Sequence, residues 1–169
     1  MNLNDFNELY RHMEWGDASV WRAVLSCEAA RADPKLREWF YHLHMVQRAF
    51  LRVWQGEMHY TPFPTFEEVE SLIEWGRSYY ADAFAQLKSW TEDDLAKPLN
   101  MPWASMLTEP LGRAPADTTL RDTALQVALH SQYHRGQINA LLRELGGEPP
   151  LVDYIAWLWL GRPEPDWDF

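Results

Sequence analysis

The chain is expected to be all-α, a four-helix bundle, and three observations lead there. Apolar residues recur at three- and four-residue spacing almost throughout, start and stop signals bracket four long stretches of that periodicity, and no repeat, low-complexity tract or linker divides the 169 residues. With 47% hydrophobic residues, a chain this long fills one core and does not need two, so a single domain over 1–169 is expected.

A first helix runs from about Asn4 to Cys27, with Phe6, Leu9, Tyr10, Met13, Val20, Trp21 and Val24 on one side. Gly16-Asp17 is a local weak point within it. Asp33-Pro34 opens the second helix, because Asp caps the free amides and Pro fits the first turn without losing a hydrogen bond; the helix should reach Trp54 or Gly56. Met58 to Pro64, with two prolines, is a connection. Thr65-Phe-Glu-Glu68 reads as a capping box for a third helix through Val69, Leu72, Ile73, Tyr80, Phe84 and Leu87 to about Trp90. From about 91 to 117 the periodicity stops, and Pro98, Pro102, Pro110 and Pro115 exclude a long helix. An excursion of that length is often functional, with room for a short strand pair, and could fold over one end of the bundle to close a site. The fourth helix begins near Asp117 or Thr118 and is stopped by Gly146-Gly147. Asp153 to Leu160 forms a short fifth helix rich in Trp and Leu, and the tail from about 161 to 169 is expected to fray.

Composition excludes several functions. Twenty-five acidic against fifteen basic residues give a net charge of −10 without a Lys/Arg cluster, which argues against nucleic acid or an anionic membrane surface as partner. The lone Cys27 rules out an internal disulfide or a cysteine-based metal cage, and reads as a small buried helical residue in a cytoplasmic protein rather than a nucleophile. The acidic N-terminus has no apolar core of a signal peptide, and no stretch approaches the length of a membrane span. Most of the ten tryptophans are expected in the core. Trp15, Trp103, Trp157 and Trp159 could wall a pocket, Trp103 as a lid from the excursion.

The best functional lead is His130-Ser-Gln-Tyr-His134 on the fourth helix. The stripe Leu120, Ala124, Val127, Ser131, His134, Ile138, Leu141, Leu145 has the spacing of a buried face, with His130 beside its middle. Side chains at i and i+4 point the same way, and neutral imidazole ligates zinc, nickel, copper or iron. Ordinary hydrogen-bonded core histidines are the competing reading, and the chain lacks the Glu of a His-Glu-x-x-His metalloprotease. A third ligand from a facing helix would come from His12, His42, His44 or His59. Residues two apart on a helix point about 200° apart, so His42 and His44 cannot share a face. His42 lies with Trp39, Val46, Ala49 and Val53, whereas His44 lies with Arg37, Gln47, Arg48, Leu51 and Gln55, a wetter surface, so His42 is preferred; His12 and His59 are lesser candidates.

Three segments together resemble the DinB superfamily, which includes the YfiT-like proteins: His42-Leu-His-Met-Val-Gln-Arg-Ala-Phe-Leu51, His130-Ser-Gln-Tyr-His-Arg-Gly-Gln-Ile138, and Leu142-Arg-Glu-Leu-Gly146 followed by Pro149, Pro150 and Asp153. The resemblance covers essentially the whole chain, and the His-x-x-x-His-Arg-Gly-Gln-Ile block is its most specific part. It implies a four-helix bundle with one long crossover connection, usually a homodimer, holding a divalent metal on His42, His130 and His134. It also implies membership in a group containing thiol-dependent transferases and isomerases that use bacillithiol, mycothiol or glutathione, beside members without known activity.

Three imidazoles leave coordination positions open, the arrangement of a catalytic rather than a sealed site. Such a donor set accepts zinc, nickel, iron, manganese or copper. A bound divalent ion lowers the pKa of a thiol and yields a nucleophile at neutral pH without an enzyme cysteine. The expected function is therefore a metal-dependent, small-thiol-dependent transferase or isomerase acting on a small electrophile. The alternatives are a non-catalytic metal- or small-molecule-binding stress-response protein, and a plain helical dimer with structural histidines. Arg135, about 100° around the helix from His134, reads as a salt bridge or dimer contact, against a second reading as a carboxylate clamp. Gln137 could line the pocket or support a ligating imidazole, and Asp153 could do the same or cap the last helix.

Overall fold

The computed structural model describes residues 1–57 and 61–169. Helix α1, Leu3–Leu25, opens on a capping box in which the Asn2 side chain accepts from the Asp5 amide (3.0 Å) and Asp5 accepts from the Asn2 amide (2.7 Å). After the single turn α2, Glu28–Arg31, helix α3 spans Pro34–Trp54, with Asp33 Oδ1 capping the Lys35 and Leu36 amides at 2.9 Å each. Helix α4 is Val69–Ser89. The capping box expected at Thr65 does not form: Glu68 occupies the N-cap position and its side chain makes no cap bond. The excursion contains β1, Pro98–Leu99, and the single turn α5, Thr108–Leu111; β1 pairs antiparallel with β2, Thr118–Thr119, so that Pro98 faces Thr119. Helix α6, Leu120–Glu144, starts on a second capping box between Thr119 and Asp122 and stops at Gly146, whose φ of +85° is the left-handed conformation a glycine terminator supplies. The short α7 is Tyr154–Trp159.

Contacts along the long helices fix their directions. Tyr10 donates to the Ala124 carbonyl (3.1 Å) and Cys27 Sγ to the Leu145 carbonyl (3.7 Å), so α1 and α6 run parallel. Trp54 Nε1 donates to Thr123 Oγ1 and Gln47 Nε2 to Ser131 Oγ, so α3 runs against α6. Tyr41 stacks with Trp75 and Arg48 pairs with Asp82, so α3 and α4 run the same way. Two consecutive parallel helices need a connection that returns the length of the bundle. The described part of that crossover does so: the Thr61 carbonyl accepts from Arg52, Phe63 lies under the Arg52 guanidinium, and the Phe66 carbonyl accepts from Arg37. Among the described residues, no helix is long and apolar enough to cross a membrane.

The excursion covers the end of the bundle where α1 and α6 begin. Glu92 accepts from the Leu3 amide (2.9 Å), the Lys97 carbonyl accepts from the Leu120 amide (3.0 Å), and Leu95 is fully buried. The tail does not fray. Trp167 is buried against Tyr80 and donates to Glu14, Arg22 pairs with Asp166, and Trp157 donates to the Pro163 carbonyl, so the last residues are held on α1.

The interior is held by a polar cluster as well as by apolar packing. Asp17 and Arg135, 1% and 2% exposed, form an ion pair at 2.7 Å between α1 and α6. Arg135 also donates to the Met13 carbonyl and to Gln132, while Asp17 Oδ2 accepts from Gln47 and Tyr80. The glycine read as a weak point makes room for this pair: a Cβ on Gly16 would stand 3.2 Å from Arg135 Nε. The face of α3 also differs from the sequence expectation. Leu36, Phe40, Leu43, His44, Gln47, Leu51 and Trp54 are buried, because the polar members of that face find partners inside, whereas His42, Trp39, Val46 and Ala49 lie half-buried on the flank; of the residues expected beside His42 only Val53 is buried. Replacing Asp17 by Ala leaves the Arg135 charge buried without its partner and is expected to lower unfolding stability by about 3–5 kcal/mol; urea denaturation checks this, and an unchanged midpoint would refute the pair's structural weight.

Candidate metal centre

His130 and His134 stand one turn apart on α6, and His42 faces them from α3. The ring centroids are 4.3 Å apart for His130 and His134, 4.7 Å for His42 and His134, and 5.5 Å for His42 and His130. One nitrogen from each ring lies within 4.8 Å of the others. Tetrahedral coordination at about 2.0–2.1 Å separates ligand nitrogens by about 3.4 Å, so modest side-chain rotations bring the three onto one ion.

Electrostatics keeps these rings in the ligating form. Burial, reinforced by the neighbouring His134 and His42, pushes His130 down to about 4. Burial and then His42 push His134 down as well, with the Gln137 side chain opposing. Both rings are therefore neutral at neutral pH, as a metal ligand must be. His130 Nε2 and His134 Nδ1 are buried with no hydrogen-bond partner among the described residues. An unpaired buried nitrogen is costly, and a cation is one of the few partners able to compensate more than one of them at once. The donor set and the orphaned nitrogens fit a divalent metal.

The other histidines are committed elsewhere. His44 is fully buried; Trp21 Nε1 donates to its Nε2 (3.0 Å) and its Nδ1 donates to Gln47 Oε1 (2.9 Å), so no lone pair is left for a metal. It also fills the space over Gly76, where a Cβ would stand 2.4 Å from His44 Nε2. His44 is thus set apart by its hydrogen bonds, not by lying on a wet surface as the sequence suggested. His12 is buried among Trp15, Tyr154 and Trp157 and donates from Nε2 to the Val152 carbonyl (2.9 Å). His59 lies outside the described residues.

Of the supporting residues anticipated, Gln137 is half-buried beside His134, donates to the Tyr133 hydroxyl (3.2 Å) and keeps its Oε1 buried without a partner among the described residues. Arg135 turns into the core onto Asp17, the salt-bridge reading and not the carboxylate clamp. Asp153 is exposed at the N-cap position of α7, where its side chain makes no cap bond, and the histidine that feels its charge is His12. The tryptophans do not gather at the three histidines: Trp15 and Trp157 pack on His12, Trp159 is 80% exposed, and Trp103 meets Phe50 edge-on, about 12 Å along α3 from His42 at 1.5 Å per residue. A cavity of about 720 Å³ lies away from the three histidines, between α1, the Gly146-Gly147 turn and the tail, and Cys27 is on its wall. Sequence reasoning missed the cluster around Gln47, Asp17, Tyr80 and Ser131. The usable signal was a set of polar residues at core spacing, one on each of the four long helices.

The DinB family model matches residues 1–166. The chain belongs to the DinB family. No curated protein and no solved structure matches it. The family match spans both helices that bring the histidines together, and in this DinB chain the three-histidine group can hold a metal ion.

The depressed value of His130 makes stability depend on pH. Between about 4 and 6.5 the unfolded chain binds a proton at His130 that the folded chain does not, so stability is complete above 6.5 and falls as pH drops through that window. Urea midpoints of metal-free protein at pH 7, 6 and 5 should decline, and the His130→Ala variant should decline less steeply. Equal slopes would contradict the depressed value.

Proposed function

We propose that this chain is a metal-dependent transferase or isomerase in which His42, His130 and His134 hold one divalent ion and a low-molecular-weight thiol from the cytoplasm is joined to a small electrophile. The observation that carries the reading is three converging imidazoles with no fourth histidine, cysteine or carboxylate in the cluster among the described residues. A bound ion would supply an open coordination position and lower the pKa of a thiol placed there. The protein's own part is to present neutral imidazoles, through the burial of His130 and His134. Cys27 takes no part, since it faces the separate cavity. Family resemblance supports a homodimer, and Leu151, Ile155 and Trp159 leave apolar surface around α7 for one.

A second reading, a non-catalytic metal- or small-molecule-binding stress-response protein, is favoured by one feature: the cavity of about 720 Å³ between α1 and the tail is not lined by the histidines. Two measurements separate the readings. Metal analysis of untagged protein should find about one divalent ion per chain, lost in His42→Ala, His130→Ala and His134→Ala and retained in His44→Ala. Loss in His44→Ala with retention in His42→Ala would overturn the ligand set. A screen of small thiols against electrophiles should then show turnover that needs both thiol and metal and stops with a chelator. Stoichiometric metal with no turnover would leave the binding protein as the function.

A further inference from the structure

We infer that Gln47 is a positioning residue for the three-histidine group, fixing the register of α3 against α6; this rests on the reading of His42, His130 and His134 as ligands. Gln47 follows His42 by five residues on α3, which turns it about 140° away from the histidine and into the core, where it is 1% exposed. Its amide is used almost completely: Nε2 donates to Asp17 Oδ2 (2.9 Å) and Ser131 Oγ (3.1 Å), with Tyr80 at 3.4 Å, and Oε1 accepts from His44 Nδ1 (2.9 Å).

What those partners sit beside makes the cluster relevant to the metal centre. Ser131 directly follows His130, and Arg135, bound to the other oxygen of Asp17, directly follows His134. Each α6 histidine is thus followed by a residue anchored in the core, and both anchors lead back to Gln47 on the helix that carries His42. Burial of Leu36, Phe40, Leu43 and Leu51 drives the helices together, but that force is non-directional and tolerates small slides and rotations. Metal bonds tolerate only about 0.2 Å. Directional hydrogen bonds across the α3–α6 contact supply the finer constraint, and a slide of one turn, about 5.4 Å, would break all of them.

The test is a cobalt(II) titration of the full metal-free chain, comparing parent, Gln47→Leu and Ser131→Ala by competition affinity and by the visible d–d absorption, with circular dichroism to report the fold. Gln47→Leu should stay helical, bind cobalt roughly 10–100-fold more weakly, and change the d–d band, because the rings no longer meet in one geometry. A role in stability alone would lower the melting temperature and leave affinity and spectrum as in the parent; that result overturns the inference and leaves the ligand set standing. Should Gln47→Leu fail to fold, Ser131→Ala removes one bond of the cluster and decides the matter: weaker binding with an altered band supports the inference, and parental values overturn it. A parent that binds no cobalt overturns the ligand reading, and the inference with it.

Discussion

Two opposite charges sealed inside the bundle set the terms for everything around them. Asp17 and Arg135 meet where four helices converge, and the desolvation of each can be offset only if its remaining hydrogen-bonding positions are filled. Asp17 is on α1, Gln47 on α3, Tyr80 on α4 and Arg135 on α6, so satisfying the carboxylate requires all four long helices to meet at one level. Gly16 leaves the space the guanidinium needs, and Gly76 leaves the space His44 needs. A core of leucines alone would favour association without specifying which turn lies opposite which.

The histidine group lies on the flank of this core. Burial keeps His130 and His134 neutral, while all three rings stay only half-buried. His44 shows what deeper burial does to an imidazole in the same helix: both its nitrogens are taken by Trp21 and Gln47, and it serves packing. Two histidines separated by one residue therefore have different chemistry because they point to opposite sides of α3.

The connections obey the directions of the helices. Because α3 and α4 run parallel, the crossover has to lie along them, and Arg52 and Arg37 tie its described part down at two levels. The excursion joins antiparallel helices, so it has no length to span; it folds on the end where α1 and α6 start instead of reaching over the histidines. The tail, acidic and rich in proline, is held by a tryptophan and by the Arg22–Asp166 pair.

Sequence alone determined the helical class, the start at Asp33, the stop at Gly146 and the pairing of His130 with His134, because capping and the i,i+4 repeat are local physics carried by neighbouring residues. It also singled out His42, although most of the face of α3 expected to be buried beside it, Trp39, Val46 and Ala49 but not Val53, is only half-buried. The buried face of α3 includes His44 and Gln47, and nothing local distinguishes a solvated glutamine from one whose amide is consumed by Asp17, Ser131 and His44. The cap expected at Thr65 and the fraying expected after residue 160 failed for the same reason, since the crossover and the tail take their positions from distant partners. Whether a polar side chain belongs inside depends on groups far away in the chain that meet it, and only the tertiary structure decides that.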